Sequence, residues 1–138
     1  MEYNLYELKN GIRVIHQPIK NRVAHCGFII NTGTRDEKIE KNGLAHFIEH
    51  SIFKGTSNRK AHHILNRIDT VGGEINAYTT KEKTCVYASF TSEYFERATE
   101  LLSDIIFNST YPEKEIKKVC EQIKSFFHEI LVLYNINI

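Results

Sequence analysis

The sequence predicts an α+β domain with a mainly antiparallel sheet packed against helices. Strand-like and helix-like segments come in runs rather than in strict alternation, an order that keeps helices apart from an antiparallel sheet. Asn10-Gly11 sits between two alternating segments, and such a hairpin signal pairs its strands antiparallel. Phe95, Ala98, Leu101, Leu102, Ile105 and Ile106 recur at helical spacing, giving one apolar face to lay on such a sheet.

The elements follow in chain order. Residues 3–8 alternate as a strand. Asn10-Gly11 reads as a two-residue turn, and Ile12 to Gln17 returns as the partner until Pro18 stops it. Val23 to Ile30 is a third strand, with Cys26, Phe28 and Ile30 on one face and His25 as a core or edge histidine. A polar loop runs from Asn31 through Lys41. Asn42 is placed to cap the next helix, whose expected buried positions are Leu44, Phe47, Ile48 and Ile52. A helix so apolar is expected to be buried. A second helix spans about Ala61 to Thr70, with Ile64, Leu65 and Ile68 inward and His62 and His63 outward, and Gly72-Gly73 breaks it. Strands Glu74 to Thr79 and Thr84 to Thr91 flank the turn Thr80-Lys81-Glu82-Lys83. Ser92 is expected to cap a third helix, and Pro112 to open a fourth.

Composition excludes several classes. At 138 residues the chain fits one domain with a real core. Eighteen basic and seventeen acidic side chains leave a net charge of +1, which makes no electrostatic case for nucleic acid or an anionic membrane. No apolar run reaches the length of a membrane span. Met1 to Glu7 has neither a signal-peptide nor a transit-peptide pattern. Cys26, Cys85 and Cys120 are odd in number and widely spaced. They read as free thiols, so a cytoplasmic location is expected.

Gly43-Leu44-Ala45-His46-Phe47-Ile48-Glu49-His50 carries the chemistry. On a helix, His46 and His50 share one face a turn apart. Two imidazoles so placed suit one Zn²⁺. Glu49 lies roughly 60° round from His46. There its carboxylate can act as general base on water without ligating the ion. His-x-x-Glu-His is the inverzincin order.

Several ordered motifs together resemble one family. Asn31-Thr32-Gly33-Thr34-Arg35-Asp36-Glu37, then Asn42 through His50, then Phe53-Lys54-Gly55-Thr56, is similar to the amino-terminal part of the pitrilysin/insulinase family, peptidase family M16. Gly72 through Thr79 and Leu102 through Ser109 match further family stretches. The resemblance covers about residues 3–116, and residues 117–138 diverge. It implies a single, incomplete amino-terminal peptidase domain over 1–138, with the metallohydrolase fold of the pitrilysin and mitochondrial processing peptidase type.

The implied activity is zinc-dependent endopeptidase hydrolysis of an extended peptide. By position, His46 and His50 would be zinc ligands and Glu49 the general base. The strand Asn76-Ala77-Tyr78-Thr79 would pair with substrate by β-augmentation. The family takes its third ligand, a glutamate, from the fourth helix. The family interval counted from His50 lands on Phe126, and the alternative alignment of Val119 to Ser125 puts Gln122 in that place. Glu129 and Glu121 are the nearest carboxylates, and both stay open as the third ligand. Family enzymes close two halves around the peptide. A second chain or a further half would therefore complete the cleft here, and the apolar tail Leu131 to Ile138 reads as a truncated end. The other function open to this fold is a catalytically inactive peptide-binding or subunit-like module.

Overall fold

The computed structural model describes residues 3–133, with side chains through residue 125. Strands β1 (Asn4–Glu7) and β2 (Arg13–His16) form an antiparallel hairpin, in register from Asn4 against His16 to Glu7 against Arg13. Its loop is Lys9, Asn10 and Gly11 rather than a two-residue turn. The Leu8 N–H donates to the Ile12 carbonyl at 2.8 Å, which adds a rung beyond Glu7. Only Gly11, at φ +83°, then enters the left-handed region.

Strands β3 (Val23–Ile30), β4 (Glu74–Thr79) and β5 (Thr84–Thr91) form a second sheet in the order β3-β5-β4, antiparallel throughout. The period-2 pattern puts Val86, Ala88 and Phe90 of β5 on the inner face, with Ala24, Cys26 and Phe28 of β3 and Ile75 and Ala77 of β4. Ile30, expected on that face, is exposed at the strand end. His25 is an exposed edge-strand residue, bonded through Nδ1 to Ser89 Oγ at 2.9 Å.

Helices α2 (Ala61–Asp69) and α3 (Phe95–Asn108) cover the inner face with Ile64, Ile68, Ala98, Leu101, Leu102 and Ile105, all fully buried. Helix α1 (Leu44–Ser51) packs beside β4, and α4 (Glu113–Leu133) packs against α1. Among the described residues no helix is long and apolar enough to cross a membrane. Cys26, Cys85 and Cys120 are free thiols.

Two local expectations, on Ser92 and on α1, are corrected, while Pro112 opens α4 as expected. Ser92 does not cap α3: Ser92–Tyr94 forms a 3-10 turn, and α3 begins at Phe95 with no side-chain cap. Pro112 precedes α4, its carbonyl accepting the N–H groups of Glu115 and Ile116. Helix α1 is not buried. Leu44 and Ile48 are exposed and Phe47 is half-buried, while only Ser51 and Ile52 at its end reach the core. The helix lies beside edge strand β4, and among the described residues its neighbours leave Leu44 and Ile48 uncovered.

The close packing of α2 on the sheet depends on Gly73. A Cβ there would meet Ile68 Cγ2 at 2.5 Å and the Ser89 carbonyl oxygen at 2.7 Å. Ile68 is fully buried and Ser89 is in β5, so neither yields cheaply. Gly73→Ala is expected to cost about 2 kcal/mol, as overpacking does. Thermal unfolding should show a lower midpoint, and an unchanged midpoint would mean that the contact relaxes freely.

Candidate functional site

The site begins with how α1 starts. Gly43 occupies the cap position at φ +88° and has no side chain to offer. Asn42 is therefore not the cap. The acceptors come from Glu37, whose Oε2 takes the Gly43 N–H and whose Oε1 takes the Ala45 N–H, both at 2.7 Å. A carboxylate there satisfies orphan donors and opposes the positive end of the helix dipole.

One turn further on, His46 and His50 converge. Their Nε2 atoms are 3.0 Å apart and their ring centroids 4.5 Å apart. Two nitrogens bonded to one tetrahedral zinc stand roughly 3.3 Å apart, from bonds near 2.0–2.1 Å. The two Nε2 atoms stand at hydrogen-bond distance, with nearly the spacing that two ligands of one zinc require. Two-thirds of a catalytic zinc ligand set would be met by this pair. The His46 side chain is 56% exposed, so the pair faces outward and is not enclosed as the apolar helix suggested.

Glu49 is the more buried member, with its side chain 17% exposed. Its Oε2 lies 3.9 Å from His46 Nδ1, outside hydrogen-bond reach. Glu49 and His50 line an open cleft of about 310 Å³ with Phe53, Lys54, Ala61, Leu65, Asn76 and Ala77. Of the expected peptide-binding strand, Asn76 and Ala77 line this cleft, while Tyr78 and Thr79 lie farther along β4. Strand β4 ends the sheet order and pairs only with β5 among the described residues. The Ala77 N–H is taken by Asn76 Oδ1 at 2.8 Å.

Of the two expected third ligands, Glu121 is not joined to the pair. Among the described residues no group of three His, Cys, Asp or Glu gathers to hold a metal. Glu121 is an exposed residue of α4, and the Glu129 side chain lies outside the described residues. Sequence reasoning missed Glu37, Ala61 and Leu65. Leu65 reads as core by helical period, yet it is 45% exposed and forms a cleft wall. Glu37 gives no periodic signal at all, since it sits in a charged loop.

Comparison with known proteins identifies the family. The model of the family described as insulinase (peptidase family M16) matches residues 13–133. The chain belongs to the insulinase family. It is 42% identical over 127 residues to an uncharacterized zinc protease, YmxG, of Bacillus subtilis, covering 88% of this chain and 31% of that protein. It is 41% identical over 111 residues to the mitochondrial-processing peptidase subunit beta of Bos taurus, covering 80% of this chain and 23% of that subunit. Its fold superposes on a protease from Helicobacter pylori with a TM-score of 0.85 at 27% identity, covering 88% of this chain and 30% of that one. The chain thus spans less than a third of the length of each of these relatives.

Proposed function

We propose that this chain carries the histidine pair and the general base of a zinc-dependent endopeptidase. The observation that carries the reading is the convergence of His46 Nε2 and His50 Nε2 to 3.0 Å, beside Glu49, at a cleft walled by β4. The names of the relatives support it, since one is a zinc protease and another a processing-peptidase subunit. His46 and His50 would hold Zn²⁺ through their Nε2 atoms. Bound zinc would supply Lewis acidity, bringing water toward a pKa near 7 and polarising a peptide carbonyl. Glu49 takes a proton from the attacking water on its carboxylate and hands it to the departing amine. The edge of β4 that is unpaired among the described residues, from Asn76 and Ala77 through Tyr78 and Thr79, would pair with an extended peptide backbone once the Asn76 side chain gives up the Ala77 N–H. A second chain or further segment would form the opposite wall, and the subunit name of one relative is consistent with that.

A catalytically inactive peptide-binding module is the second reading. The absence of a third carboxylate at the pair among the described residues favours it. A peptide library with added zinc separates the two. The 138-residue chain should show no detectable hydrolysis. Restoring one turn, about four residues, before Val119 together with Gln122→Glu should permit cleavage. Glu49→Gln in that repaired chain should lower cleavage at least about a hundredfold. A repaired chain that holds zinc but cleaves equally well without Glu49 would remove the base from the mechanism. Glu49-dependent cleavage by the unrepaired chain would make Glu129 or Glu121 a working ligand.

A further inference from the structure

We propose that Glu37 is the positioning residue for the His46–His50 pair, acting through the start of α1. The proposal deepens the zinc-site reading, on which its meaning for metal binding rests. Helix α1 has only eight residues, and a helix of two turns is marginal without support from outside. Its last turn is fixed, because Ile52 is buried and the Ile52 carbonyl accepts Ser109 Oγ at 3.1 Å. Among the described residues its first turn has no such side-chain anchor, since Leu44 is exposed and Gly43 offers no side chain. Glu37 alone bridges the Gly43 and Ala45 N–H groups, one residue before His46. A displaced first turn moves His46 while His50, nearer the anchored end, stays. The 3.0 Å approach of the two Nε2 atoms would then open.

The loop that carries Glu37 is itself held by the turn that follows β4, the strand that walls the cleft. The Thr34 N–H donates to the Thr80 carbonyl at 3.1 Å, and the Arg35 N–H to the Lys81 carbonyl at 3.0 Å. Arg35 Nη1 meets Glu82 Oε1 at 2.8 Å. Gly33 sits so close that a Cβ would lie 2.4 Å from the Thr80 oxygen and 2.6 Å from the Lys81 carbonyl carbon. The Gly33 N–H donates to Asp36 Oδ2 at 2.9 Å, closing the 3-10 turn that precedes Glu37. The start of α1 is thereby referenced to the turn between β4 and β5. One carboxylate sets the histidine pair and the peptide strand in a common frame.

The test uses the metal-free 138-residue chain and its Glu37→Ala and Glu37→Gln variants. Amide hydrogen exchange at Gly43 and Ala45 should accelerate about tenfold in Glu37→Ala, the scale of losing a helix cap. Glu37→Gln keeps one acceptor and should fall between. The Nε2 nitrogen resonances of His46 and His50 should move toward those of separated imidazoles in Glu37→Ala and return partway in Glu37→Gln. Exchange at Leu101 and Ile105 in the core should not change. Equal exchange at Gly43 and Ala45 in all three chains would overturn the proposal. So would unmoved imidazole resonances, or acceleration at Leu101 in step with Ala45. Co²⁺ titration of the wild type is a separate arm. Failure to take up Co²⁺ would overturn the zinc-site reading, whereas the metal-free readouts decide the role of Glu37.

Discussion

Zinc content should fall to background when His46 and His50 are both replaced by alanine. Each ligand contributes heavily, because structural zinc sites with four ligands reach about 10–16 kcal/mol in all. Losing one ligand therefore costs roughly a hundredfold or more in affinity, and losing both removes the two imidazole nitrogens that stand 3.0 Å apart. The unaltered chain should hold zinc weakly, at less than one equivalent after dialysis, since two nitrogens fall short of the three protein ligands a catalytic site supplies. A chelator should strip it quickly, because His46 lies 56% exposed at the surface. Glu49→Gln should leave zinc uptake nearly unchanged, as Glu49 flanks the pair without converging on it. Metal analysis by mass spectrometry decides the matter. Equal zinc in the wild type and the double variant would remove the pair from the metal site.

Asp104→Ala should be the most destabilising single change in the described core, by about 3–5 kcal/mol. Asp104 is an α3 carboxylate with its side chain 3% exposed. It accepts from Thr56 Oγ1 at 2.8 Å, Asn58 Nδ2 at 2.6 Å, Arg59 Nη1 at 2.6 Å and Asn108 Nδ2 at 3.0 Å. Removing it takes the shared acceptor from four donors, and three of them belong to the loop that leaves α1 and enters α2. Burial pushes its carboxyl pKa up. Hydrogen bonds from Asn58, Thr56, Arg59 and Asn108 outweigh that and hold it at about 2, below the ordinary 3.8. Because the folded value is depressed, its contribution is full above about pH 4 and is lost as pH falls toward 2. That difference corresponds to about 2 kcal/mol. Denaturant unfolding should show the loss in the wild type, and Asp104→Asn should lack it over the same pH interval. A stability equal to wild type in Asp104→Ala would mean that water replaces the carboxylate without cost.

The elements were legible wherever a period encodes a face. Ala98, Leu101, Leu102 and Ile105 stand at helical spacing and are all fully buried. Val86, Ala88 and Phe90 alternate and line the inner sheet face. The antiparallel order followed from turns that local chemistry marks. The His-x-x-Glu-His spacing needed only a helix to bring two imidazoles together.

What the sequence by itself determined was therefore local: the strand and helix segments, the antiparallel class, the histidine pair and the family. Tertiary structure decided the rest, because those features join residues far apart or depend on what lies alongside. The cap of α1 comes from Glu37 in a charged loop, where a carboxylate looks like any solvated one until the loop folds back. The Asp104 cluster ties a loop at residues 56–59 to α3 across more than forty positions of chain. The exposure of α1 is set by its place beside the edge strand β4, since an apolar helix is buried only as far as its neighbours reach.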